Sequence, residues 1–349
     1  MRVVDMHCDT ISALLKKRRA GEIAGLRENN CHIDICRMRK GDYLLQNFAL
    51  FVELGKCRDA WQEVQELLGL YEQEILKNRD DIAAVLSYDD IEKNRSEGKI
   101  SAFLTVEEGG VCGGSLEKLR TLYKQGVRMM TLTWNYPNEI GYPNLSREQG
   151  EKRKDAEKNE NPSARNQEIL NYLNTPNMKD GLTQTGIAFV QEMEKLGMIV
   201  DVSHLSDAGF YDVYKSTKKP FVASHSNARE ICPCVRNLSD DMIRKLADRG
   251  GVTGLNFCAD FLTQVPPGIK NPGTIAAVVE HAKHIVSVGG MECLGLGSDF
   301  DGIDTHAELT GADQMERLAE AFKKNGFTEG QIDKIFNGNV LRVYREVLL

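Results

Sequence analysis

The chain has 349 residues, 41% of them hydrophobic and 27% charged, with a net charge of −7. That balance is ordinary for a globular protein able to bury a large core, and its acidity argues against nucleic-acid partners, whose binders carry a basic face. No apolar run approaches the roughly 20 residues a membrane span needs, so no membrane partner is expected.

An apolar strand opens at residue 2, with no basic and apolar leader before it, which predicts a cytoplasmic protein. The nine cysteines are odd in number and without framework spacing, so they read as reduced thiols. The Cys232-Pro233-Cys234 pair is too tight for a structural zinc knuckle and reads as loop. The first strand, Val3-Val4-Asp5-Met6-His7-Cys8-Asp9-Thr10, sends His7 and Asp9 to one face by its period of two, placing an imidazole and a carboxylate together at a strand end. A nitrogen and oxygen pair of this kind suits zinc or a similar divalent ion.

Residues 11–27 read as a helix and 29–42 as a connection. A strand at 47–52, a helix at 58–79, a short strand-like run at 83–86 and a helix at 88–97 follow. The run 101–107 is a strand ending in Glu107; the glycine-rich stretch 109–114 has no Lys-Ser/Thr and reads as a turn, and a helix over 115–124 leads to a strand at 129–134. Residues 136–180 then break the alternation with a dense charged stretch at 147–160, an insertion of the kind that forms lids or binding loops. The pattern resumes with a helix at 181–196, a strand ending in His204, a helix at 206–216 and a strand ending in His225. A helix at 239–248, a strand at 251–257, a helix at 274–289, a strand ending in Asp299 and helices at 313–325 and 328–349 complete the chain. His281 and His284, three apart on a helix, read as a solvated face.

With the short run at 83 left out, the strands at 2, 47, 101, 129, 198, 221, 251 and 293 number eight, each followed by helical or loop sequence. That alternation predicts an α/β fold, a (β/α)8 TIM-type barrel of amidohydrolase-like character, as a single domain over 1–349 with the long insertion after the fourth strand. The doubly wound alternative lacks a Gly-x-Gly-x-x-Gly turn after its first strand. In such a barrel, functional residues gather at the C-terminal strand ends. His7, Asp9, Glu107, His204, His225 and Asp299 then converge on one rim, using three of only seven histidines. Six ligand-type residues are too many for one tetrahedral zinc and fit two ions, which can hold a hydroxide between them and polarise a carbonyl for amide hydrolysis. Glu107 is the expected bridge because it lies in sequence between the two ligand groups; Glu108 is the neighbouring alternative, and alternation lets only one of them face inward.

The motifs Val4-Asp5-x-His7-x-Asp9, Val106-Glu107 before a glycine pair, Gly181-Leu182-Thr183, Gly197 through Ser206, Ser224-His225-Ser226, Arg236-Asn237 and Gly297-Ser298-Asp299-Phe300-Asp301-Gly302 together resemble the membrane (renal) dipeptidase family of metallopeptidases. The resemblance runs in order from residue 3 to about 302. It implies a binuclear zinc barrel, usually homodimeric, that hydrolyses dipeptides. By position, His7 and Asp9 would hold one zinc and His204 and His225 the other, with Glu107 bridging both. Asp299 would lie beside the first zinc and carry the proton from the bridging water to the leaving amine. Arg236 would receive the dipeptide carboxylate, for which only arginine offers a planar two-donor fork.

Two departures bear on substrate. Trp134 stands where mammalian members have a histidine that assists at the scissile carbonyl, and an indole donates one hydrogen bond but cannot become cationic. The chain is expected to lack the secretion signal and anchor of the mammalian members, and the insertion at 136–180 is expected to reshape the substrate mouth. The rival enzyme reading is another amidohydrolase-type barrel, a deacylase or lactone hydrolase; those usually carry a bridging lysine at the fourth strand, and the residues around Trp134 supply none. A metal-binding scaffold without activity would need neither Asp299 nor Arg236.

Overall fold

The computed structural model describes residues 2–145, 162–266, 269–303 and 308–349. Among them nine strands form one all-parallel sheet: β1 Val3–Asp5, β2 Tyr43–Phe51, β3 Ile82–Ala84, β4 Ile100–Glu107, β5 Met129–Thr131, β6 Ile199–Asp201, β7 Val222–Ala223, β8 Val252–Leu255 and β9 Leu294–Leu296. The order β2-β1-β9-β8-β7-β6-β5-β4 closes on itself because β2 also pairs with β4, from Leu45↔Ser101 to Phe51↔Glu107. β3 takes the first half of β4 and β5 the second, so β3 stays outside the ring. The result is the eight-stranded TIM-type barrel that the alternation predicts, with helices around it. Strands buried on both faces need near-continuous apolar sequence, and β4, Ile-Ser-Ala-Phe-Leu-Thr-Val-Glu, is buried along its whole length.

Two hydrophobic layers result. Val4, Met6, Leu45, Phe103, Met129, Ile199, Val222 and Val252 pack inside with Val340, Val343 and Val347, while the outer faces of the strands meet the helices. The last helix, Asn339–Val347, seals the floor: Tyr344 stacks on Phe103 with centroids 4.4 Å apart, and its hydroxyl exchanges hydrogen bonds with the Asn47 side chain. The opposite end, where the strands finish, is left for chemistry.

Helix starts follow readable caps. The side chains of Asp59, Ser115, Thr183, Ser206, Ser239 and Thr274 each accept the backbone N–H three residues on. Several expected boundaries differ. The first helix, Thr10–Arg19, stops eight residues before position 27 and is followed by Gly21 at φ 84; the chain beyond is pinned instead to buried Glu74, which accepts from Leu26 N at 2.6 Å and pairs with Arg18. Within the expected connection, Asp34 caps a helix at Ile35–Lys40. The expected continuous helix 328–349 is interrupted by a π turn at Lys334–Gly338. His281 is not solvated: it is fully buried, accepting from Ala228 N at one ring nitrogen and meeting Leu262 O at the other. His284 pairs with Asp240 at 2.7 Å. A helix, Pro162–Asn174, falls within the insertion expected at 136–180, whereas its charged stretch 147–160 lies outside the described residues.

Candidate metal centre and active site

Beyond β1 the chain stays extended, zipped to the segment after β9: Asp299 N donates to His7 O, and Asp9 N to Phe300 O. His7 and Asp9 therefore stay on one face, and Asp299 is drawn beside them. Glu107 is the last residue of β4, and His204 and His225 follow β6 and β7 within three residues. His204 and Asp299 adopt left-handed backbone, φ 69 and 62, which is uncommon for residues with a Cβ and persists where surrounding contacts over-determine it.

All six side chains meet. Glu107 Oε2 lies 3.5 Å from His7 Nε2, while its Oε1 lies 3.1 Å from His204 Nε2 and 3.7 Å from His225 Nε2. His7 Nε2 is also 3.4 Å from Asp9 Oδ2 and 3.8 Å from Asp299 Oδ1. Ligand atoms of His7, Glu107 and His225 fall within 4.8 Å of one another, as do those of His7, Asp9 and Asp299. Glu108 turns away: its carboxylate accepts from Gly110 N, Trp134 N and the Asn138 amide.

The donor set fits divalent cations. His7 Nε2 and Nδ1 and Asp9 Oδ1 are buried without a hydrogen-bond partner, an arrangement that burial penalises unless something else satisfies them. His204 Nε2 and His225 Nε2 lie 3.0 Å apart. The Ser224 hydroxyl donates to Asp201 at 2.6 Å, which leaves its oxygen to accept from His225 Nδ1 at 2.7 Å; the His225 Nε2 lone pair then points into the site. Burial first, then Asp9, pushes the Glu107 carboxyl up to about 8, and burial with Asp9 raises Asp299 to about 6, against the lowering influence of His7. Burial holds His204 and His225 well below the ordinary imidazole range, with Arg236 and His7 adding to it. His7 moves the other way: burial disfavours its charge, but Glu107 and Asp9 outweigh that and raise it. Crowded buried carboxylates facing neutral imidazoles are what a divalent cation relieves.

Sequence reasoning missed the residues behind these six. Asp201 accepts from Ser203 N, Ser224 N, Ser224 Oγ and Thr131 Oγ1. Asp5 does the same for Ser298 and His7 N. Asn256 donates to Asp299 Oδ2 at 2.9 Å and to His225 O at 3.2 Å. The available signal was an aspartate two or three residues before His7 and His204, on the strand itself.

A cleft of about 1100 Å³ opens over the centre, lined among others by Lys16, Phe51, Trp134, Cys258, Phe261 and Ile303. Trp134 packs edge-on against Phe51 at 4.9 Å and tilts toward His204 at 6.1 Å. Arg236 stands behind this lining, buried, with its guanidinium 5.2 Å from the Phe261 ring. Its hydrogen bonds to Ser226 Oγ and His225 O are long, both 3.4 Å, and Nε has no partner, so its donors are under-used.

The family model described as membrane dipeptidase, peptidase family M19, matches residues 1–348. An uncharacterized dipeptidase of Schizosaccharomyces pombe is 30% identical over 368 aligned positions, covering 100% of this chain and 81% of the relative. Among solved structures, dipeptidase AC superposes with a TM-score of 0.85 at 23% identity, covering 100% of this chain and 99% of that one. A metallopeptidase from Rhodobacter sphaeroides, liganded with a phosphinate mimic of the dipeptide L-Ala-D-Ala, gives 0.84 at 22% identity, covering 99% of each chain.

Proposed function

The chain belongs to the membrane dipeptidase family, peptidase family M19, and is a metallo-dipeptidase; from that premise we propose that it uses two zinc ions to hydrolyse small dipeptides with a free C-terminal carboxylate. His7 and Asp9 would hold one ion and His204 and His225 the other, with Glu107 shared between them. The observation that carries this reading is the split of Glu107, whose Oε2 faces His7 while Oε1 faces His204 and His225. The pair, when bound, supplies a Lewis acid to the scissile carbonyl and a hydroxide nucleophile at neutral pH.

The chain's own groups do the rest. Asp299, held through Oδ2 by Asn256, takes up the proton of the attacking nucleophile on its other oxygen and delivers it to the leaving amine. Arg236 binds the substrate carboxylate with donors that have only weak partners in the protein. Trp134 and Phe51 form an apolar wall that orients the substrate and excludes water from one side. The indole at Trp134 contributes at most one hydrogen bond and no charge to the carbonyl. The dipeptide mimic on the Rhodobacter sphaeroides protein supports the same substrate class here. We take residues 1–349 as one catalytic domain, since the sheet is continuous through all nine strands, and the nine free cysteines support a cytoplasmic setting.

Metal analysis of the purified chain is expected to find two zinc equivalents. A panel that includes L-Ala-L-Ala and L-Ala-D-Ala is expected to be hydrolysed, with activity lost on chelation and restored by zinc. Activity that survives thorough stripping, or zinc-loaded protein that cleaves acetylated amines or lactones and no dipeptide, overturns the reading.

A further inference from the structure

The loop that follows β5 holds His204 at three points. Asn144 N donates to His204 O at 2.9 Å, and the Asn144 amide donates to Leu205 O at 3.1 Å, fixing the backbone just beyond the left-handed φ of His204. At the ring, Asn135 Oδ1 lies 3.0 Å from His204 Nδ1. A carbonyl oxygen is an acceptor only, so this contact is a hydrogen bond when Nδ1 carries the proton, and a neutral imidazole with its proton on Nδ1 has a bare lone pair on Nε2. That Nε2 faces Glu107 Oε1.

Asn135 is itself placed by Glu108. The Glu108 carboxylate is fully buried and accepts from Trp134 N at 3.0 Å, Gly110 N at 2.8 Å and Asn138 Nδ2 at 2.5 Å. All three partners are donors, so the site asks for a group that only accepts, and the anchored amide belongs to the residue next to Asn135. Asn138 extends the frame, accepting from Ile140 N and Gly141 N.

We propose that Asn135 is a positioning residue that fixes the tautomer and ring direction of His204, and that buried Glu108, through the Trp134 amide, sets where Asn135 stands. The inference rests on His204 being a metal ligand. Partners one step behind a ligating histidine typically change metal affinity by about 10–100-fold when removed. His7 and Asp9 are held by the pairing of the segments after β1 and β9, so loss of Asn135 weakens the ion of His204 and His225, where only the His225 ring keeps its own support in Ser224 and Asp201, and spares the other.

The test is zinc competition against a chromogenic chelator for the parent chain, N135A and N135D, with thermal unfolding of each metal-free protein. N135A is expected to retain the first zinc equivalent and to bind the second roughly 10–100-fold more weakly, with an unchanged unfolding midpoint for the metal-free protein. N135D keeps an acceptor at the same reach and is expected to restore the second equivalent. Should N135A fail to fold, N135S serves, because its hydroxyl is too short to reach Nδ1, and the same loss is expected. A parent that binds fewer than two equivalents overturns the two-ion reading and this inference with it. A parent that binds two, with N135A or N135S holding both as tightly, overturns this inference alone.

Discussion

Asp299 is gripped at one oxygen and open at the other: Asn256 donates to Oδ2, while Oδ1 faces the His7 and Asp9 half of the centre. An amide at this position still accepts from Asn256 but cannot carry a proton between nucleophile and leaving group. Asp299→Asn is therefore expected to bind zinc normally and to lose about 10²–10⁴ in kcat, which metal analysis and steady-state kinetics on one dipeptide would check. Unchanged turnover would remove Asp299 from the chemistry. Arg236 is tested by contrast between substrates. Hydrogen bonds to a charged group are worth about 1.5–3 kcal/mol each, so Arg236→Ala is expected to lower kcat/KM on free dipeptides by roughly 10–100-fold, mainly through KM. The same substitution should hardly affect C-terminally amidated analogues; equal losses on both would assign Arg236 to structure.

The strand ends are the elements that make the site, and their backbones run close enough to restrict what fits between them. Gly302, in the turn after β9, is the example that bears directly on the site carboxylates. A Cβ there would stand 2.2 Å from Asp9 Oδ2 and 2.6 Å from Asp299 Oδ1, so any other residue displaces the carboxylates. Gly302→Ala is expected to weaken zinc binding by roughly tenfold or more while leaving the unfolding midpoint of the metal-free protein nearly unchanged, since the turn lies outside the barrel core. Competition titration and calorimetry read the two quantities separately. A variant that binds zinc like the parent would mean that the carboxylates have room to spare.

Over the whole molecule, the buried centre links protonation to stability. Glu107, raised to about 8 by burial and Asp9, and His7, raised by Glu107 and Asp9 against its burial, both hold protons in the folded metal-free chain that they release on unfolding near neutrality. The folded state then binds more protons, and stability falls as pH rises through that range. His204 and His225, lowered chiefly by burial, oppose this only below the ordinary imidazole range of about 6.5, where the unfolded chain takes up protons they do not. The metal-free protein is accordingly expected to show a falling unfolding midpoint from about pH 6.5 to 8.5, and zinc to stabilise it more at the upper end. A flat or rising midpoint for the metal-free protein would contradict those shifts.

The barrel was legible in the sequence because closure needs eight buried strands, and buried strands announce themselves as short apolar runs between helical repeats. His7, Asp9, Glu107, His204, His225 and Asp299 could be picked out one by one because each ends such a run, where a polar side chain has no reason to sit in a core. What no linear reading could supply is which oxygen of Glu107 meets which imidazole, or that Asn135 and Asn256 stand behind the others. Those relations join residues tens to hundreds of positions apart, and their direction depends on backbone turns such as the left-handed His204 and Asp299, which neither periodicity nor composition encodes. The sequence determined the fold and the chemical inventory of the rim, since both follow from local hydrophobic pattern; the pairing of acceptors with donors was decided only when the barrel closed and brought distant strand ends within hydrogen-bonding reach.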